Sequence, residues 1–169
     1  MRRVLFLLVA ICFAACGTIG EEYPTHEESS VVGVGDVAPD FTVELLGGER
    51  VTLSELRGEV VLLVLFSHEC PDCKMLMDDM KAARDYFDDL GVRILAIERD
   101  GSAEDVETYM ASHGYDFDVA VDDNRAIYNL YATMYVPRTY LIDSEGIIVH
   151  ATIEYDASYV ARILSAIPQ

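Results

Sequence analysis

The chain has 169 residues, of which 51% are hydrophobic and 25% charged, and its formal net charge at pH 7 is -18. This length suits one ordinary domain and is short for two. The acidity argues against a nucleic-acid-binding protein, and we expect it to keep the protein soluble and to favour a basic partner.

The first fifteen residues have the pattern of a signal peptide. Arg2 and Arg3 precede an apolar stretch at residues 4–15, whose twelve residues are too few to span a bilayer core of about 30 Å as a helix. Residues 13–16, Phe-Ala-Ala-Cys, resemble the cleavage box of bacterial lipoproteins, although an aliphatic residue is usual at Phe13. We expect residues 1–15 to be removed and Cys16 to be lipidated, leaving an exported, membrane-anchored protein that faces the periplasm or the cell exterior. The alternative is an ordinary signal peptide with Cys16 as a bystander.

Export leaves few cysteines. Cys12 would leave with the signal and Cys16 would be acylated, so that Cys70 and Cys73 would be the remaining thiols. An exported chain with one CxxC pair is poorly explained by a structural disulfide framework. The pair indicates a redox site or a metal site instead.

Residues 16–35 are rich in Gly, Glu, Ser and Thr and lack apolar periodicity, which predicts a flexible tether before a domain at residues 36–169. The domain should begin with a β-hairpin, with strands at residues 42–46 and 49–53 around the turn Gly47-Gly48. One helical turn is predicted at residues 54–57.

Residues 59–66 form a continuous apolar run, as expected of a central strand buried on both faces. Cys70-Pro71-Asp72-Cys73 follows, and Pro71 suits the first turn of a helix. Apolar residues then recur at helical spacing as far as Phe87, which predicts one helix that stops at Gly91. Two thiols one turn apart can close a disulfide and so carry two electrons.

Strands and helices then alternate, which predicts a largely parallel sheet with right-handed crossovers. The predicted elements are strands at residues 92–97 and 117–121 and helices at 103–113 and 123–131. The chain should end in a hairpin, residues 139–143 and 147–153, followed by a helix at 157–167.

This order of elements resembles the thioredoxin fold, and three motifs are similar to those of the TlpA/ResA-like proteins, relatives of the AhpC/TSA redoxins. They are Gly35-Asp36-Val37-Ala38-Pro39-Asp40-Phe41 for G-x-x-A-P-D-F, Cys70-Pro71-Asp72-Cys73-Lys74 for C-x-x-C-K, and the run from Val136 to Asp143 for V-P-x-T-[FY]-L-I-D. The resemblance implies an α/β thioredoxin-like three-layer sandwich with a central mixed sheet and an N-terminal β-hairpin. The segment between Asp100 and Val121 looks like the extra αβ insert of that group.

Members of that group are extracytoplasmic thiol-disulfide oxidoreductases, often membrane anchored. By resemblance, Cys70 is the attacking nucleophile and Cys73 the resolving thiol, with Pro71 and Asp72 completing the motif. Pro137 would be a cis-proline which, with the backbone of Val136, lines the groove where a partner docks. The implied partners are exported proteins with disulfides or dithiols, including proteins of c-type cytochrome maturation. No cofactor, metal or nucleic acid is implied.

The chain departs from that family around the thiols. Glu69 stands where a Trp is usual, which alters the rim that faces the substrate. Val64 replaces the buried Asp of thioredoxin, and Leu76 and Asp78 replace the Glu and Pro of C-x-x-C-x-x-E-x-P. The usual proton acceptors for Cys73 are therefore missing.

Glu98 and Asp100, at the end of the strand at residues 92–97, are candidates to replace those acceptors; the alternative is an ordinary loop role. His68 is either a base that assists Cys70 or a solvated loop residue.

The charges near the pair predict the direction of electron flow. Glu69 and Asp72 disfavour a thiolate at Cys70, whereas Lys74 and the helix dipole favour one. A thiolate less stabilised than in strong oxidants predicts a reductant-like or isomerase-like potential, nearer ~-270 mV than ~-120 mV.

Three other functions stay open. A peroxiredoxin-like peroxidase is suggested by Ser67 three residues before Cys70, but Leu63 replaces the motif's Pro, and Pro137 stands where an activating Arg is expected, with Arg138 adjacent. The second is a Sco-like copper carrier and the third a non-catalytic binding module on the same scaffold. Copper would be held by the two cysteines with His68 or His150, although those carriers have C-x-x-x-C.

Overall fold

The structure is a computed structural model that describes residues 23–168. The predicted signal peptide at residues 1–15, the lipidation site Cys16 and residues 16–22 of the predicted tether lie outside the described residues. In the described part, no helix combines the length and the apolar character needed to cross a membrane.

The described elements follow the predicted order. They are β1 (Thr42–Glu44), β2 (Arg50–Thr52), a 3₁₀ turn (Leu53–Leu56), β3 (Val60–Phe66), α1 (Pro71–Ala82), α2 (Arg84–Asp89), β4 (Val92–Glu98), α3 (Ala103–His113), β5 (Asp118–Val121), α4 (Tyr128–Tyr131), β6 (Arg138–Ile142), β7 (Ile148–Ile153) and α5 (Tyr159–Ala166).

The five long strands form one mixed sheet in the order β5-β4-β3-β6-β7, beside the two-stranded hairpin of β1 and β2. The central strand β3 runs parallel to β4 and antiparallel to β6. In the β3–β4 pair, Phe66 lies opposite Glu98. The carboxyl ends of these strands therefore meet at one edge of the sheet, immediately before the CxxC segment.

Two apolar cores, one on each face of the sheet, make the fold three-layered. Successive side chains of a strand point to opposite faces, so Val61, Leu63 and Leu65 pack against the hairpin and α4. Leu62, Val64 and Phe66 pack against α1, α3 and α5. This explains why β3 is apolar without interruption, as predicted for a strand covered on both sides.

The αβ insert forms between β4 and β5, and its helix has the predicted bounds. The side chain of Ser102 caps the start of α3 by accepting a hydrogen bond from the amide of Asp105 at 3.2 Å. Gly114 ends the helix with φ 64°, a conformation that favours glycine.

Two predicted helices differ in the structure. The helix expected to run to Gly91 breaks at Ala83, whose amide bonds both Asp79 and Met80 and whose φ/ψ of -99°/10° leaves helical geometry. The helix predicted at residues 123–131 contains only Tyr128–Tyr131. There, Arg125 has φ 57°, and the carboxylate of Asp122 accepts the amide of Tyr128 at 2.7 Å, so the helix starts late.

The flexible tether predicted at residues 16–35 is wrong for the part that the structure describes, because the chain is hydrogen-bonded to the domain from Pro24 onward. The amide of Val31 bonds the carbonyl of Tyr131 at 3.0 Å, and that of Gly35 bonds Ile148 at 2.8 Å. Ser29 is fully buried. The polar composition gave no sign of this packing, because Ser29 and Ser30 are held by hydrogen bonds from a buried arginine, Arg138, rather than by apolar contacts.

Candidate active site

Cys70 lies at the N-cap of α1, in extended conformation, and Pro71 occupies the first helical position. A proline loses nothing there because the first helical N–H groups have no partner within the helix. Both cysteines are free thiols, Cys70 half-buried and Cys73 buried. The first thiol is therefore partly accessible at the helix N-terminus, whereas the second is enclosed.

The loop before β6 provides the surface facing Cys70. The Val136–Pro137 peptide bond is cis, as the resemblance implies. The carbonyl oxygen of Val136 lies 3.7 Å from Cys70 Sγ. The half-buried Val136 and the buried Pro137 thus border the sulfur of Cys70.

Cys73, one turn further along α1, is 0% exposed. The amide of Ser67 donates a hydrogen bond to its Sγ at 3.5 Å. Burial raises the pKa of this thiol well above its usual range. Cys73 is therefore a protonated thiol that is shielded from solvent. It is placed to react with a disulfide formed on Cys70 rather than with a partner directly, which suits a resolving role.

The charges around the pair are mainly negative. Glu69 is exposed and Asp72 half-buried at the mouth of the site. Lys74, predicted to favour the thiolate, is paired with Asp78 at 2.6 Å, one turn along the helix. Its charge is thereby partly neutralised, so the surroundings of the two thiols are acidic on balance.

Glu98 is 0% exposed and lies beside the CxxC loop. Its Oε2 accepts the amide of His68 at 2.6 Å and lies 3.3 Å from His68 Nδ1, while Oε1 accepts the amide of Asp100 at 3.0 Å. Asp100, the other predicted candidate, is exposed and ion-paired with Arg99 and Arg125. Of the two predicted acids, Glu98 is therefore the one in the interior beside the site, where its carboxylate also accepts two backbone amides of the adjoining loops.

Sequence reasoning missed two residues that hold His68. A Cβ atom at Gly101 would lie 2.9 Å from both Cε1 and Nδ1 of His68, so the loop after β4 packs directly on the imidazole. The ring of Tyr109, on α3, meets that of His68 edge-on at 6.1 Å. Nothing in the local sequence marks either residue, because their proximity depends on how the insert folds back.

Two alternatives depend on where the structure places Arg138 and the candidate metal ligands. The guanidinium of Arg138, offered as an activating arginine, donates to Ser29, Ser30 and Met134 and so is committed away from Cys70. Within residues 23–168, no three or more His, Cys, Asp and Glu side chains are grouped so as to hold a metal ion. Neither a peroxidase nor a copper carrier gains support from this geometry.

Known proteins similar to this chain have the thiol-disulfide chemistry that the two cysteines indicate. The model of the AhpC/TSA family matches residues 34–151. The thiol-disulfide oxidoreductase ResA of Bacillus subtilis strain 168 is 34% identical over 147 residues, which cover 87% of this chain and 80% of that protein.

Solved structures give the same result. A Bacteroides thetaiotaomicron protein assigned as a disulfide isomerase matches with a TM-score of 0.75 and 32% identity, covering 81% of this chain and 89% of that one. A Chlorobium tepidum protein assigned as the thiol:disulfide interchange protein DsbE matches with a TM-score of 0.73 and 26% identity, covering 81% and 99%. The thioredoxin-like fold with a mixed central sheet is therefore confirmed.

Proposed function

This chain belongs to the AhpC/TSA family and is a thioredoxin-like thiol-disulfide oxidoreductase, and we propose that it exchanges disulfides with partner proteins through Cys70 and Cys73, mainly as a reductant. The observation that carries the proposal is the half-buried Cys70 beside the carbonyl of Val136, with the buried Cys73 one turn behind it.

The exchange proceeds in two balanced steps. The Cys70 thiolate attacks one sulfur of a partner disulfide, forming a mixed disulfide and releasing the partner's other sulfur as a thiolate. Cys73 then loses its proton and attacks Cys70 Sγ, which breaks the mixed disulfide and releases the second partner thiolate. The protein's dithiol is oxidised to a Cys70–Cys73 disulfide, and the partner disulfide takes up two electrons and two protons.

The electrostatics of the site support the reducing direction. Glu69 and Asp72 oppose a thiolate at Cys70, and the Lys74–Asp78 pair reduces the compensating positive charge. A dithiol whose thiolate is weakly stabilised is a better electron donor. Equilibration of the pair with glutathione redox buffers should give a potential below about -180 mV, and a higher value would contradict the reducing direction.

The proposed partners are exported proteins, with those of c-type cytochrome maturation among the candidates. The net charge of -18 supports basic partners, since complementary charge speeds encounter. Export and anchoring rest on the pattern of residues 1–16. They are tested by expressing the full chain with Cys16→Ser: the parent protein should partition with membranes and incorporate labelled fatty acid, and the variant should do neither.

Trapping tests the exchange itself. In Cys73→Ser the resolving thiol is gone, so mixed disulfides should accumulate on Cys70 in the native cell envelope and be identifiable by mass spectrometry after thiols are blocked with acid. The matched control is Cys70→Ser, which keeps one thiol of the pair but has no attacking sulfur and should trap nothing. If Cys73→Ser captures no more protein than Cys70→Ser, disulfide exchange with proteins is not the function.

A further inference from the structure

We propose that Glu98 and His68 form the proton-transfer pair of this site: Glu98 takes up the proton that Cys73 loses on resolving the mixed disulfide, and His68 passes it to solvent. The inference rests on the proposed exchange reaction and deepens it. Val64 and Leu76 stand where related proteins have acids, and their side chains cannot accept a proton. Glu98 on β4 and His68 in the loop before α1 would carry out that proton transfer instead.

The first observation is the way the thiol and the carboxylate are held. The amide of Ser67 donates to Cys73 Sγ at 3.5 Å, and the next amide, that of His68, donates to Glu98 Oε2 at 2.6 Å. Two consecutive N–H groups of one loop therefore fix the buried sulfur and the buried carboxylate. The β3–β4 register, which places Phe66 opposite Glu98, makes this possible.

The second observation is the set of partners of Glu98. A carboxylate removed from water needs compensation from charge or from hydrogen bonds. The partners of Glu98 in the described part of the chain are the amides of His68 and Asp100 and one side chain, the imidazole of His68. With an imidazole rather than a lysine or arginine as its side-chain partner, Glu98 can gain and lose a proton without leaving a permanent charge unpaired.

The third observation is the fixed position of His68. Its side chain is 22% exposed, whereas that of Glu98 is 0% exposed, so the imidazole connects the buried acid to the surface. Gly101 packs against the ring so closely that a Cβ atom there would lie 2.9 Å from it, and Tyr109 faces the ring edge-on. The imidazole is thus held against Glu98 rather than left free in solvent.

The other ionisable groups around the pair are engaged or unsuited to the task. The hydroxyl of Tyr109 is buried and finds no hydrogen-bond partner within residues 23–168, and burial raises its pKa to about 12, so it does not lose its proton near neutral pH. The remaining groups are Asp100, paired with Arg99 and Arg125; Asp78, paired with Lys74 and Tyr115; His113, bonded to Ser112; Tyr159, bonded to Thr139; and Glu69, exposed at the mouth.

The resolving step is then complete in atoms. The proton of the Cys73 thiol goes to Glu98, the Cys73 and Cys70 sulfurs form a bond, and the bond between Cys70 Sγ and the partner sulfur breaks. The partner leaves as a thiolate. The proton on Glu98 crosses to Nδ1 of His68 and leaves from the exposed part of the imidazole; when the protein disulfide is reduced, the same pair returns it.

The test uses the reduced full chain carrying Cys12→Ser and Cys16→Ser, mixed with excess 5,5′-dithiobis(2-nitrobenzoic acid). The aromatic thiolate released by attack of Cys70 reports the first step, and the second aromatic thiolate, released by Cys73, reports resolution. We expect Glu98→Gln to leave the first release within twofold and to slow the second at least tenfold at pH 7. Without the base, the second rate should rise tenfold per pH unit with the thiolate fraction, whereas the parent rate should vary less between pH 6 and 9.

A buried carboxylate just after the next strand, β5, provides the matched control. Asp122 is 5% exposed, follows β5, and donates its amide to the carbonyl of Glu98 at 2.7 Å. Asp122→Asn removes the same charge at similar depth and should keep the parent rates and pH profile. His68→Gln keeps the amide bond to Glu98 but removes the imidazole; it should slow the second release at least threefold and steepen its pH dependence.

Failure of the proton-transfer pair and failure of the disulfide-exchange function give different results. If the parent protein forms no mixed disulfide or never releases the second thiolate, the exchange function fails. If the parent shows both releases and Glu98→Gln keeps the parent rate and pH profile, the proton-transfer pair is wrong. Should Glu98→Gln fail to fold, His68→Gln decides, since a parent-like profile in that variant overturns the proposal.

Discussion

Arg138 and Ser29 lie 109 residues apart in the sequence, and the guanidinium of Arg138 donates to both the carbonyl oxygen of Ser29, at 3.1 Å, and its hydroxyl oxygen, at 2.6 Å. Arg138 is 1% exposed and directly follows Pro137. It also donates to the carbonyl of Met134 at 2.9 Å. One buried side chain thus ties the segment before the domain's first strand to the loop that borders Cys70.

The first prediction is that Arg138→Met destabilises the protein by at least about 3 kcal/mol. The substitution keeps an apolar stem but leaves the oxygens of Ser29 and Met134 buried without donors, at about 1–3 kcal/mol each. Urea unfolding of reduced protein measures the change. The control is Arg50→Met, at an exposed arginine of β2, which should cost less than about 0.5 kcal/mol. A loss below about 1 kcal/mol in Arg138→Met would show that the segment is held by other contacts.

The contact between Arg138 and Ser29 is also a part of the fold that could not be predicted from the sequence. Composition and periodicity were sufficient for β3 and for α3, because an apolar run and a capped helix carry their signals locally. The segment at residues 23–35 carries none, since Ser29 is buried and bonded to an arginine more than a hundred residues away.

The candidate site likewise has features that the sequence predicts and features that it does not. The position of Cys70 at the start of α1 and that of Cys73 one turn further along could be predicted, because helix start signals and one-turn spacing are local. The contact between His68 and Glu98 could not, since it depends on the register of β3 against β4 and on Gly101 being small enough to let the insert close over the imidazole.

The second prediction concerns alkaline stability. Burial raises the pKa of Cys73, so the folded reduced protein keeps a proton that the unfolded chain releases. The stabilisation is present below the ordinary thiol pKa of about 8.5 and is lost as pH rises above it, by up to about 1.4 kcal/mol per pH unit.

Urea unfolding of the reduced and the disulfide forms between pH 7 and 10 measures this loss, because the two forms differ in the thiols of Cys70 and Cys73 alone, and the variant without Cys73 separates the two thiols. The stability of the reduced form relative to the oxidised form should fall above about pH 9. Reduced Cys73→Ser should not show the extra slope. Parallel curves for the two redox forms would mean that the buried thiol titrates normally.

The third prediction addresses Leu76, which stands where the resemblance implies a glutamate. Leu76 is 0% exposed in the core beneath α1, whereas its neighbour Met75 is 44% exposed. Leu76→Glu should lower the free energy of unfolding at pH 7 by about 3–5 kcal/mol, because the new carboxylate is buried without a partner. The loss should be smaller at pH 5, where that carboxyl is more readily protonated.

Met75→Glu introduces the same side chain one position earlier on the exposed face of α1 and should change stability by less than about 0.5 kcal/mol. Urea unfolding of both variants at the two pH values gives the comparison. Equal stability of the two variants would mean that the core beside Cys73 accepts an acid, and that packing does not explain the leucine.

The last prediction tests the acidic mouth of the site. Glu69→Gln and Asp72→Asn each remove a negative charge next to Cys70, which should favour its thiolate and make the pair more oxidising. Because these charges are at least partly exposed, each change should raise the reduction potential by only about 5–20 mV, corresponding to about 0.2–1 kcal/mol, and the effect should shrink at high salt. Glutathione equilibration measures the potential at two ionic strengths.

Glu104→Gln, at an exposed position on α3, is the control and should leave the potential unchanged. A fall in potential in both mouth variants would reverse the proposed electrostatic logic, because it would mean that the acids stabilise the reduced form and that the site's reducing character has another origin.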